Sequence, residues 1–319
     1  MDRLILTARP EFWDAALDEL RTVAGRYSDV VELRDDIRCV RLTEPFTGWK
    51  QLPIFIRHAF PVLATVEKNI DAVLDALQGH VGEQTIGIQV RTLPGANVGR
   101  AEFAEELGSR LGADVDLQRA DLIVSVLVHH DTIDVGVATP ADNLSAWSGG
   151  ERRFKRYEGQ INRSEFKLLE ALDVFGIAPS GSALDLGAAP GGWSKVLADA
   201  GCDVVAVDPA DLDERLPPRV RHFRGTTGEF MRAERKDRYD LIVNDMRMDA
   251  RMSARTQVSL ADHLTPSGLA VMTLKIGRRA PLAEVRDAVR VLRRAYEVRG
   301  VRQLFHNRNE VTAHLAKRR

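Results

Sequence analysis

The stretch Asp185-Leu-Gly-Ala-Ala-Pro-Gly-Gly-Trp193 decides how this chain is read. It closes a short apolar strand, Ser182 to Leu186, turns on small residues, and enters a helical pattern from Trp193 to Ala200. Strand, glycine-rich turn and helix in that order open a doubly wound nucleotide-binding sheet. Glycine at 187, 191 and 192 permits positive φ and a close approach of ligand to backbone, while the first helical turn presents unpaired N–H groups. A ligand is expected across this turn.

The dinucleotide fingerprint does not fit, because Ala189 stands where its second glycine is needed and Pro190 interrupts the cradle, so hydride chemistry is disfavoured. The next apolar run, Asp203 to Val207, ends in Asp208, about 20 residues past the turn, where a carboxylate can accept both hydroxyls of a ribose. The expected ligand therefore contains an adenosine without requiring a phosphate. With these residues in view, "LDLGAAPGGWSKVL" followed by "VVAVDP" resembles the S-adenosylmethionine site of FtsJ-like RNA methyltransferases. The resemblance implies that Asp185, Gly187, Ala188, Pro190, Gly191, Gly192, Trp193, Asp208 and Asp245 hold S-adenosylmethionine.

At 319 residues, 44% hydrophobic and 29% charged, the chain has ordinary globular composition and length for two domains. No apolar run approaches the ~18 residues of a membrane span, and Met1-Asp2-Arg3 leads into an alternating strand, so a soluble, cytoplasmic protein is expected. Cys39 and Cys202 stand alone, which argues against a disulfide framework or a zinc site, and both are expected to be buried small hydrophobes. Charge is uneven: residues 1–140 hold 14 Lys+Arg against 22 Asp+Glu, and residues 141–319 hold 31 against 24. The half with the glycine turn is the basic one, which points to a polyanionic partner there.

Four regions are expected. Residues 1–50 read as a small α+β, ferredoxin-like unit, with strands Arg3–Thr7, Val30–Leu33 and Arg38–Leu42 around a helix Pro10–Val23. Residues 51–140 form a second α+β unit, and "IGIQVRTLPG", "EELGSRL" and "VDLQRADLIVSVLVHHDTIDVGV" resemble a THUMP RNA-binding domain. Residues 141–163 read as a linker whose run Arg152, Arg153, Phe154, Lys155, Arg156, Tyr157 either contacts phosphates and stacks on a base or packs its aromatics on a domain. "TPADNLSAWSGGERRFK" and "NRSEFKLLEAL" are similar to the join of bacterial 23S ribosomal RNA 2′-O-methyltransferases that pair a THUMP module with an FtsJ-like domain. From 164 to 319 strands and helices alternate as an α/β, Rossmann-like methyltransferase domain with a mostly parallel sheet. Its final two strands, Gly300–Phe305 and Val311–Leu315, are joined only by His306 to Asn309, too short for a crossover, so the last strand must run antiparallel.

Ligands gather at the carboxyl ends of parallel strands, where Asp185, Asp208, Asp245 and Lys275 stand. An antiparallel last strand starts at that same rim, which brings Glu310 to it. Lys167 joins them from the helix Ser164–Val174, on the side away from Phe166 and Leu169. Lys167, Asp245, Lys275 and Glu310 match the Lys-Asp-Lys-Glu tetrad of FtsJ-like ribose methyltransferases, which implies transfer to a 2′-OH of RNA, 23S ribosomal RNA above all. A ribose hydroxyl is a poor nucleophile at neutral pH, and Lys275 is the expected base, with Asp245 and Glu310 orienting the ammonium groups. Gly225-Thr226-Thr227 lacks the acid that often holds the adenine amino group. Arg247, Arg251, Arg255, Arg278 and Arg279 follow the two catalytic strand ends and are expected to ring the mouth of the pocket and hold phosphates. Amino-group methylation is disfavoured, since the turn after the fourth strand is Asn244-Asp-Met-Arg247 and not Asn-Pro-Pro-aromatic. Pyrimidine C5 chemistry lacks a cysteine at the rim. Transfer-RNA methylation and a non-catalytic binding module stay open, and neither a metal nor an oligomeric state is implied.

Overall fold

The computed structural model describes residues 3–234 and 237–318. Two compact units meet in sequence between Glu151 and Arg152. The first contains β1 (Arg3–Thr7), α1 (Trp13–Val23), β2 (Tyr27–Arg34), β3 (Ile37–Leu42), β4 (His58–Pro61), β5 (Ala64–Glu67), α2 (Ile70–Leu77), β6 (Ile86–Thr92), α3 (Arg100–Leu111), β7 (Leu122–Val128), β8 (Thr132–Ala138) and the single-turn α4 (Pro140–Asn143). Its strands form two four-stranded sheets, β2-β3-β1-β4 and β5-β8-β7-β6.

The expected break at residue 50 is corrected by β4, which lies beyond it and pairs antiparallel with β1, Leu4 opposite Pro61 and Thr7 opposite His58. The first sheet therefore draws on both sides of that position, and Ile5, Ile37, Phe60 and Leu127 pack in one cluster. At four residues and ending in proline, β4 is too short to display the period-2 alternation that marks a strand. Its approach is held from a distance instead. The buried Glu19 carboxylate on α1 accepts the backbone N–H groups of Ile54, Phe55 and Ile56 at 2.8, 2.7 and 3.0 Å.

The second unit contains α5 (Glu165–Val174), β9 (Ser182–Leu186), α6 (Gly192–Asp199), β10 (Asp203–Asp208), β11 (Val220–Arg224), α7 (Thr227–Ala233), β12 (Tyr239–Asn244), α8 (Ala250–Ser259), β13 (Leu264–Lys275), α9 (Pro281–Leu292), β14 (Tyr296–Arg302) and β15 (Glu310–Lys317). One seven-stranded sheet runs β11-β10-β9-β12-β13-β15-β14. Only β15 opposes its neighbours, pairing antiparallel with β13 and β14, as the short connection before it required. The middles of the central strands are apolar, as burial on both faces demands: Ala183, Leu184, Ile242, Val243, Ala270 and Val271 have no exposed surface.

The structure also moves one boundary. Tyr296 opens β14, four residues before the strand start expected at Gly300. Its hydroxyl is buried, donating to the Gln257 carbonyl at 2.7 Å and accepting from Gln257 Nε2 at 3.2 Å. Among the described residues, no helix is long and apolar enough to cross a membrane, and no cluster of metal-binding side chains occurs.

Candidate active site

Because β10 and β12 leave β9 on opposite sides, the strand order reverses at the end of β9, and a crevice opens there. It is a cavity of about 930 Å³ lined by the glycine turn, the ends of β10, β12 and β13, and the start of α7. Asp185, Gly187, Ala188, Pro190, Trp193, Asp208 and Asp245 all line it. Gly187 has φ +72, and a Cβ there would press on Met246 Cγ at 2.9 Å. Asp208 accepts the N–H groups of Ala189 at 3.1 Å and Ala210 at 2.8 Å, which fixes its carboxylate beside the turn. Trp193 donates its indole N–H to the Ser164 carbonyl at 2.8 Å and so ties α6 to the start of α5.

Gly191 and Gly192 are not among the residues that line the cavity. Gly191 needs its glycine for φ +114 and because a Cβ would meet Leu216 Cδ1 at 2.5 Å, away from the ligand space. A Cβ on Gly192 would strike the Asn162 side chain. Both shape the turn from behind. Spacing alone reports that a glycine is required, not which side of the backbone is crowded.

Lys167, Asp245, Lys275 and Glu310 converge from four separate elements into a ring of alternating charge. Lys275 and Glu310 are register partners across β13 and β15, and Asp245 directly follows β12, the neighbour of β13. Lys167 Nζ lies 3.0 Å from Asp245 Oδ2 and 2.8 Å from Glu310 Oε1. Lys275 Nζ lies 2.6 Å from Asp245 Oδ1 and is paired with Glu310 Oε2. Lys167, Lys275 and Asp245 line the cavity.

At Lys167 and Asp245 burial works against the charged forms, yet the opposite charges prevail. Burial opposes a charged Lys167, but the adjacent carboxylates of Asp245 and Glu310 outweigh it and raise its pKa above the ordinary lysine value. Burial would likewise raise Asp245, and the two ammonium groups bring it below the usual carboxylate range. Asp185 follows the other course. Enclosed beneath the turn and short of a cation, it is pushed by burial up to about 7 despite the hydrogen bond that its carboxylate accepts from Ser194 Oγ at 2.7 Å.

Sequence reading missed three groups at the site. The Thr273 hydroxyl donates to Asp245 Oδ1 at 2.6 Å and accepts from Lys275 Nζ at 3.0 Å. Its signal was available, since residues two apart on a strand share a face. The buried Glu170 carboxylate on α5 accepts the N–H groups of Phe305 at 2.7 Å and His306 at 2.8 Å, holding the segment that leads to Glu310. Met231, Met246 and Met248 line the cavity with Thr226 and Thr227, where no acid was found in sequence. Nothing in the spacing of those methionines announces them.

The basic candidates separate. Arg247 lines the cavity, Arg251 and Arg255 are exposed on α8, and Arg278 and Arg279 are exposed in the turn after β13. In the 152–157 run the aromatics are engaged within the unit: Phe154 stacks on Phe166 with centroids 5.5 Å apart, and the Tyr157 hydroxyl donates to Glu165. Of the two readings open for this run, the packed one describes its aromatics. Arg152 pairs with Asp173 at 3.1 Å and Arg153 lies over the Phe305 ring, while Arg153, Lys155 and Arg156 are exposed.

Residues 160–298 match the FtsJ-like methyltransferase family. The ribosomal RNA large subunit methyltransferase M of Alkalilimnicola ehrlichii is 32% identical over 287 residues, covering 81% of this chain and 77% of that protein. The protein of that name from Azotobacter vinelandii is 36% identical over 200 residues, 57% of this chain and 55% of its own length. The one from Laribacter hongkongensis is 28% identical over 351 aligned positions, 98% of this chain and 96% of its own. In its matches to the Azotobacter and Pseudomonas aeruginosa proteins, the chain spans about half the length of those relatives, 55% in each case.

Proposed function

This chain belongs to the ribosomal RNA large subunit methyltransferase M family, and on that premise we propose that it transfers a methyl group from S-adenosylmethionine to a ribose 2′-OH of bacterial 23S ribosomal RNA. The observation that carries this reading is the charge ring Lys167-Asp245-Lys275-Glu310, three of whose members line the same cavity as the glycine turn.

The cavity suits the cofactor. Its size, the bare Gly187 and the Asp208 carboxylate beside the turn fit an adenosine, and the methionines and threonines at the start of α7 offer the base a soft apolar wall. Bound there, S-adenosylmethionine supplies an electrophilic methyl on a sulfonium. The chain supplies the rest. Lys275, in its amine form, takes the 2′ proton as the oxygen attacks, and Asp245 and Glu310 hold its nitrogen in place. Lys167 stays cationic between the same two carboxylates and keeps the ring from carrying a net negative charge beside an incoming oxyanion. Arg247, Arg278 and Arg279, with Arg251, Arg255 and the exposed Arg153, Lys155 and Arg156, hold phosphates around the target. Residues 51–140 serve as a THUMP-like RNA-binding region, residues 164–319 carry catalysis, and the protein works in the cytoplasm.

The test is transfer of labelled methyl from S-adenosylmethionine to ribosomal RNA isolated from a strain lacking this protein, with the modified position mapped. An RNA with a 2′-deoxy sugar at that position is expected to bind and accept no methyl. Methylation of the deoxy substrate would place the reaction on the nucleobase and overturn the reading.

A further inference from the structure

Thr273 lies two residues before Lys275 on β13, has no exposed surface, and is not among the residues lining the cavity. It lies behind the ring, and its hydroxyl bonds to both Asp245 and Lys275: it donates to Asp245 Oδ1 at 2.6 Å and accepts from Lys275 Nζ at 3.0 Å. An ammonium group has three N–H donors, and around Lys275 there are three acceptors, Asp245 Oδ1, Glu310 Oε2 and Thr273 Oγ1. Lys167, by contrast, meets only the two carboxylates among the described residues. The lysine assigned as base is thus held by a neutral acceptor as well as by the two carboxylates.

Resting on the reading of this site as a ribose methyltransferase centre, we propose that Thr273 is a positioning residue for Lys275. Two carboxylates alone leave the side chain free to turn about its Cδ–Cε bond, so that the nitrogen can settle between them or toward the cavity. A third acceptor behind the nitrogen removes that freedom. The same hydroxyl, by donating to Asp245, also keeps the carboxylate from following the lysine. The neutral acceptor makes the weakest of the three bonds, since bonds to ionised partners are roughly twice as strong. It is therefore the bond that yields most cheaply when Lys275 becomes an amine, while the two carboxylates keep the nitrogen near its place.

Valine fills nearly the volume of threonine and lacks only the hydroxyl, and serine keeps the hydroxyl. In Thr273→Val, kcat for methyl transfer to ribosomal RNA is expected to fall ~10- to 100-fold, the scale of one hydrogen bond to a charged group, with KM for S-adenosylmethionine and RNA within about 2-fold. Thr273→Ser is expected to restore kcat to within about 3-fold. A second readout needs no activity: with 15N-labelled lysine, the Lys275 ammonium signal, assigned by its loss in Lys275→Arg, should exchange slowly with water in the wild type and in Thr273→Ser, and rapidly in Thr273→Val. If the valine variant does not fold, Thr273→Ala takes its place in both measurements. Wild-type kcat in the valine variant, a kcat loss that serine shares, or an ammonium equally protected in all variants overturns the inference. A wild-type protein that transfers no methyl group refutes the function reading alone, because the exchange measurement still decides whether Thr273 holds the lysine.

Discussion

Each unit of this chain contains a cluster of opposite charges withdrawn from solvent, one buried around Arg91 and one half-buried around Lys275, and the two differ in their cation. In the first, Arg91 is 8% exposed and donates to Asp36 at 2.8 Å, Glu151 at 3.1 Å and Thr7 Oγ1 at 2.8 Å, while Arg34 grips the same Asp36 at 2.5 and 2.8 Å. Burial would raise the Asp36 carboxyl, but the two guanidinium groups bring it well below the usual carboxylate range. In the second, lysines take the place of arginines and the ring opens on a cavity. Both arrangements compensate buried charge by pairing. Only the second is made of cations that can give up a proton and act as a neutral base, because a guanidinium remains protonated under all working conditions. The same electrostatic solution is scaffolding when built on arginine, and in the function proposed above it becomes a reaction centre when built on lysine beside a cavity.

Breaking the arginine cluster should have the largest effect, and on stability. Arg91→Met leaves Asp36 and Glu151 short of their buried partner and should destabilise the first unit by about 3–5 kcal/mol, read from the denaturant midpoint of that unit. A loss below about 1 kcal/mol would show that this cluster is not the scaffold described here.

The lysine ring should respond in rate rather than stability. Lys275→Ala is expected to bind S-adenosylmethionine and RNA nearly normally and lose ~10²-fold or more in methyl transfer, the scale of a general base with its orientation. Lys275→Arg should not rescue. An active arginine variant would make the position an electrostatic clamp and erase the distinction between the two clusters.

Acid and base sharpen the contrast through two aspartates of opposite behaviour. Asp36 has a depressed folded pKa, so its contribution is present above its unfolded value of 3.8 and is lost as pH falls through the folded value. Asp185 is raised from 3.8 to about 7, so its contribution is complete below 3.8 and is lost as pH rises through about 7. Unfolding of the second unit should therefore show a component that weakens by up to ~1.4 kcal/mol per pH unit within that window. Asp185→Asn should remove it. An unchanged pH dependence in that variant would mean Asp185 is not held neutral by its surroundings.

The smallest effect is expected at the exposed arginines, which belong to neither cluster. Replacing Arg278 and Arg279 together should lower the salt slope of RNA binding by about 2, about 1 for each phosphate contact, while affinity for S-adenosylmethionine holds. Unchanged RNA affinity at every salt concentration would leave the turn after β13 as a solvated basic loop.

What the sequence determined by itself was local or topological. The turn 185–193 is legible because glycine, proline and an apolar strand lie side by side, and the antiparallel β15 follows from a connection too short to cross the sheet. From those two facts Asp245, Lys275 and Glu310 could be brought to one rim without coordinates. The tertiary structure decided which side of a backbone is crowded, so that Gly187 faces the cavity while Gly191 and Gly192 back onto Leu216 and Asn162. It decided that Phe154 and Tyr157 have partners within their own unit, that β4 completes the sheet of β1, and that Thr273 ties Lys275 to Asp245. The reason is physical: spacing and periodicity record the constraints between neighbours along the chain, whereas the direction of a side chain and the identity of its partner depend on groups that only packing brings within a few ångströms.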